Sequence, residues 1–107
     1  MTENARIQAL HAMLARNPND ARAHFGLAAE YEKLELWDAA VEELQQYLAM
    51  TEDQGNAWGR LGKALRLAGR DDEAREAYRT GIEQAARHGH PSMAAEFEET
   101  LAEWESS

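Results

Sequence analysis

The chain has 107 residues, 44% apolar and 29% charged, and its 20 acids against 11 bases leave a net charge of −9. Alanine (21 residues) and leucine (11) dominate, and Val41, Ile7 and Ile82 are the whole β-branched aliphatic supply, so the composition argues strongly against a sheet and predicts one all-α domain over residues 1–107. The acidic balance argues against nucleic acid and membrane as partners, and without cysteine there is neither a disulfide nor thiolate chemistry.

The first predicted element is a helix over 3–16, with Ile7, Leu10, Met13 and Leu14 on one face and the turn Asn17–Asp20 behind it. Helices over 21–34 and 38–50 follow, separated by a break at Glu35–Trp37. Helices over 56–68 and 72–87 come next, separated at Gly69–Asp71. Gly69 suits the left-handed residue that closes a helix, and Asp71 is expected to cap the next one. His88-Gly89-His90-Pro91 is the last break. Met93, Phe97, Leu101 and Trp104 then share one face of a helix over 92–104, whose surroundings carry five glutamates and no base.

Residues 21–54 and 55–88 align without a gap at a period of 34. Ala23 then matches Ala57, Leu27 matches Leu61, Ala28 matches Gly62 and Ala40 matches Ala74. Small residues at 28, 62, 40 and 74 let the two helices of each pair approach closely. In the second unit Trp58, Leu61, Gly62, Leu65, Ala74, Tyr78 and Ile82 fall on signature positions. In the first, His24, Leu27, Ala28, Tyr31, Ala40, Leu44 and Tyr47 do so. On these residues the chain resembles the tetratricopeptide repeat (TPR) family over 5–88. His24 stands where that family usually has tryptophan, and Glu35 where it has the turn glycine.

The resemblance implies a TPR-like α-solenoid of about six helices, stacked as antiparallel pairs into a right-handed superhelix. Its parts are a half-repeat (1–20), two repeats (21–54 and 55–90) and a capping helix with tail (91–107). A terminal repeat must cover its exposed face, which is the role expected of the last helix.

Chemistry of the chain's own is not expected. Hydroxyl nucleophiles have no adjacent base, the glycines are scattered and the carboxylates read as solvated faces, so the protein is read as no enzyme, without cofactor. His88 and His90, with Glu83 or Glu96 as a third ligand, have metal-like spacing, but such segments in helix breaks are usually exposed and no metal is expected. His24 reads as a packed residue, and His11 has no evident partner.

In the resembled family the concave surface, lined by the first helix of each pair, holds extended peptides. By position, the groove candidates are Arg22, Phe25, Gly26, Ala29, Glu32 and Lys33, then Asn56, Gly59, Arg60, Lys63 and Arg66. Gly59 and Ala29 would keep the groove floor low. Between Gly55 and Arg70 lie four bases and no acid, in a chain of net charge −9. Arginine forks suit carboxylates, so Arg22, Phe25, Ala29, Asn56, Arg60, Lys63 and Arg66 are read as a site for an acidic or free-carboxylate peptide. Arg60 is compatible with the family's carboxylate clamp, although Phe25 and Ala29 replace its lysine and asparagine. The bland alternative is that these bases balance nearby acids, the tail included. The expected function is a small adaptor or cochaperone-like protein-binding module in the cytoplasm. Its alternative is a self-associating homodimer built through Phe97 and Trp104.

Overall fold

The computed structural model describes residues 4–106. They form α1 (Ala5–Arg16), α2 (Ala21–Lys33), α3 (Trp37–Met50), α4 (Asn56–Leu67), α5 (Asp71–Arg87) and α6 (Pro91–Ser106), with no strand among the described residues. Every predicted helix is present with ends within two residues; the expected start at residue 3 lies outside the described residues. Among the described residues no helix is long and apolar enough to cross a membrane. The helices group into two units, Met1–Thr51 and Glu52–Ser107.

In unit 1, α1 packs on α2 and α2 on α3. Leu10, Ala23 and Leu27 form a buried cluster, with Ile7, Met13, Leu14 and Tyr31 packed around it. Leu27, Val41 and Leu44 are fully buried, each stabilising the unit by about 1.5–3 kcal/mol. Asn4 caps α1 through the amides of Arg6 and Ile7, and Asp20 caps α2 through that of Ala23. The unit also buries one acid. The Glu30 carboxylate accepts from Asn4 Nδ2 at 3.1 Å, Arg6 Nε at 3.1 Å and Lys33 Nζ at 3.2 Å, tying the start of α1 to the end of α2. A buried carboxylate persists only with such donors.

In unit 2, α4 packs on α5 and α5 on α6. The repeat-equivalent positions Ala57, Leu61, Gly62 and Ala74 are all buried, as Ala23, Leu27, Ala28 and Ala40 are in unit 1. Gly62 shows why size matters: a Cβ there would lie 2.8 Å from the Tyr78 ring. Gly59 and Gly81 make the seat for α6. Cβ atoms there would stand 2.5 Å and 3.1 Å from the Phe97 ring. The expected open floor at Gly59 is therefore filled by Phe97, because the capping helix covers that stretch of α4.

Three of the five helix breaks share one geometry. Gly69 (φ 82°) and Gly89 (φ 77°) are left-handed, and the amide after each reaches back five residues, Arg70 N to Leu65 O and His90 N to Ala85 O, both at 2.8 Å. Glu35, repeat-equivalent to Gly69, adopts the same shape at φ 59°, with Leu36 N donating to Tyr31 O at 2.9 Å. The expected cap at Asp71 is corrected. Arg70 is the capping residue, without a side-chain cap, and Asp71 is the first residue of α5. The turn closes at Arg70, so Asp71, Asp72 and Glu73 act on the helix dipole from within the first turn.

Three expectations follow. Glu35→Gly should raise the urea midpoint by the equivalent of about 1 kcal/mol, and Gly69→Ala should lower it by a similar amount, since only glycine tolerates this backbone without strain. Hydrogen bonds from Asn4 and Lys33, with the charges of Lys33 and Arg6, hold the Glu30 carboxyl below the ordinary 4.5 of a glutamate. A depressed carboxyl stabilises the fold above that value and loses its effect as pH falls below it, so acidification should reduce hydrogen-exchange protection of α1, and Glu30→Gln should flatten that pH dependence. Gly59→Ala should destabilise unit 2 by about 1–3 kcal/mol in urea unfolding and selectively speed amide exchange in α6, as overpacking displaces Phe97.

Candidate functional site

The site begins with α4, which carries Asn56, Arg60, Lys63 and Arg66 and no acid. Positions 56, 60 and 63 lie within two turns on one side of the helix. Asp53 orients the start of this helix, its Oδ2 accepting from the amides of Gly55 and Ala57 at 2.8 Å each. Gly55 is buried at φ 128°, where a Cβ would meet Met93 Sδ at 2.9 Å, so the α4 entrance sits tightly on α6.

Between α4 and α6 lies an open cavity of about 220 Å³. Asn56, Gly59, Arg60 and Lys63 line one wall, Glu96, Phe97 and Thr100 the other, and Tyr78 of α5 completes it. Lys63 and Asn56 are exposed and Arg60 is half-buried. Burial raises the Tyr78 hydroxyl above its ordinary value, so it remains a neutral hydrogen-bonding group at physiological pH.

Arg66 belongs to a different arrangement. Its guanidinium lies 4.3 Å from the centroid of the Trp104 ring, and that of Arg75 lies 4.6 Å from the same ring. Cation–π contacts of this kind contribute about 0.5–1 kcal/mol each at exposed sites. Glu105 reaches Arg75 at 3.6 Å and Arg79 at 3.8 Å. Arg70 forms a two-pronged pair with Glu73, at 2.9 and 3.0 Å. The tail is thus neutralised partly by α5, while Arg60 and Lys63 line the cavity. Phe97 and Trp104, on which the homodimer alternative relies, are both half-buried within unit 2.

Unit 1 holds the remaining candidates on α2. Arg22 is exposed and Ala29 half-buried. The Phe25 ring stacks at 4.5 Å and 39° on Tyr47 of α3. Gly26 serves the α1 contact instead of an open groove, since a Cβ there would stand 3.0 Å from Leu10 Cδ2, and Lys33, largely exposed, pairs within α2 with Glu30.

Three of the four histidines, His11, His24 and His90, have structural partners that sequence reasoning missed, whereas His88 Nε2 is buried with no hydrogen-bond partner. His24 is packed as expected, and it also pairs through Nδ1 with Glu43 Oε1 at 2.6 Å and through Nε2 with the Pro18 carbonyl at 3.0 Å. The only forewarning was a polar ring in a slot that resembles one for tryptophan. His11 Nε2 meets the Tyr31 hydroxyl at 3.2 Å, and His90 Nε2 meets Gln54 Oε1 at 2.7 Å. Among the described residues no three His, Asp or Glu side chains gather as a metal site.

Comparison with known proteins agrees with this architecture. The tetratricopeptide repeat family model matches residues 1–85. A TPR repeat-containing protein of Pseudomonas aeruginosa is 38% identical over 85 residues, 78% of this chain and 79% of the relative. Small glutamine-rich tetratricopeptide repeat-containing protein 2 of Mycosarcoma maydis is 34% identical over 79 residues, 74% of this chain but 22% of that longer protein. With paired helices at a 34-residue period, small residues buried at equivalent positions and a family match across most of its length, the chain belongs to the tetratricopeptide repeat family.

Proposed function

We infer that the protein binds an extended peptide bearing acidic side chains or a free C-terminal carboxylate, with Arg60 and Lys63 of α4 as the principal contacts. The family to which it belongs is one of protein–protein interaction modules, and the finer reading rests on one observation. In a chain of net charge −9, the α4 wall of the cavity carries two bases and no acid. At about 220 Å³ the cavity is smaller than the roughly 300–1,000 Å³ of small-molecule sites, which favours a single anchoring residue of a longer chain. Asn56 supplies an amide for the peptide backbone. Arg66, stacked on Trp104, steadies the capping helix and adds positive potential.

An amide-shift NMR titration with an acidic peptide, free or amidated at its C-terminus, tests this reading. Shifts should centre on Asn56, Arg60 and Lys63 and should weaken with salt. Amidation should weaken them further if the terminal carboxylate is the group bound. Arg60→Ala with Lys63→Ala should weaken binding at least tenfold, about 1.4 kcal/mol, with helical content unchanged. Absence of shifts, or shifts confined to α6, would overturn the proposal.

A further inference from the structure

We propose that the cavity between α4 and α6 selects a peptide of mixed charge: a carboxylate set against Arg60 and Lys63, followed within a residue or two by a lysine or arginine set against Glu96. This rests on the peptide-binding reading above and adds the second half of the recognition. The two walls carry opposite charge, Arg60 and Lys63 on α4 and Glu96 on α6, with the Phe97 ring and Tyr78 beside them. Glu96 is exposed, so its carboxylate meets whatever enters. Thr100, one turn on, donates its hydroxyl to the Glu96 carbonyl at 3.0 Å, which leaves the hydroxyl oxygen free to accept from an incoming N–H.

A purely acidic peptide lying along Arg60 and Lys63 brings like charge towards Glu96. A cationic neighbour turns that repulsion into attraction. Selectivity then comes as much from rejecting uniformly acidic chains as from gripping mixed ones. The cavity volume of about 220 Å³ equals about seven waters at the roughly 30 Å³ each occupies in the liquid, room for the ends of one or two side chains and no more.

The test uses the whole chain and two fluorescent peptides of equal length, one carrying Asp-Lys and the other Asp-Ala at the same position, in fluorescence-anisotropy titrations at low salt. Wild type should bind the Asp-Lys peptide roughly two- to fivefold more tightly, the scale of one partly exposed ion pair. The preference should vanish in Glu96→Gln and reverse in Glu96→Lys. Because Glu96 is exposed, circular dichroism should show both variants fully helical. Equal affinities in wild type, or a preference that survives in Glu96→Gln, would overturn the mixed-charge proposal. If both peptides bind equally and both are lost on Arg60→Ala with Lys63→Ala, only this inference falls. If neither peptide binds, the peptide-binding reading falls and takes this one with it.

Discussion

Close approach of helices over residues without bulk governs both units. Where Gly59, Gly62 and Gly81 present bare backbone, aromatic rings fill the space, Phe97 over the first and third and Tyr78 over the second. Dense packing of this kind gains dispersion energy atom by atom and leaves no room for even a methyl group. In unit 1 the same role falls to Gly26 beneath Leu10 and to Ala28 and Ala40, which are fully buried. The cavity exists because Phe97 sits deep enough to bring α6 alongside α4 while Glu96 and Thr100 stay at its rim.

Charge is distributed around this packing with few groups left to chance. Glu30, buried, gathers three donors. His24, also buried, has an acceptor at each ring nitrogen and so bridges the α1–α2 turn to α3. In unit 2 the acidic tail meets individual bases of α4 and α5. Glu105 answers Arg75 and Arg79, and Trp104 lies against Arg66 and Arg75. The bases that line the cavity are Arg60 and Lys63. This division separates the bases that contact Trp104 and Glu105 of α6 from the bases that line the cavity.

Much of the fold was legible in the residues. Periodicity placed all six helices, because an amphipathic stripe recurs within a dozen residues whatever lies elsewhere in the chain. The turn at Glu35 was less legible, since a left-handed backbone is announced by glycine and Glu35 has none of glycine's freedom. Its tolerance comes from the closing hydrogen bond of Leu36 to Tyr31, supplied by the helices on either side. At the candidate site, the basic row on α4 could be read directly. Gly59 could not: it looked like open floor, and it is the seat of an aromatic ring from 38 residues further on.

By itself, then, the sequence determined the all-α class, the 34-residue repeat, the helices to within two residues and the excess of bases on α4, all of which depend on local spacing and composition. Tertiary structure alone decided what surrounds each of these bases. Arg66 and Arg60 are both α4 bases in the sequence, yet one is stacked on Trp104 and the other lines a cavity beside Glu96. The physical reason is range. Helix formation and amphipathicity act over a few residues, whereas the fate of a long charged side chain is set by the face of a neighbouring helix that packing brings within a few ångströms of it.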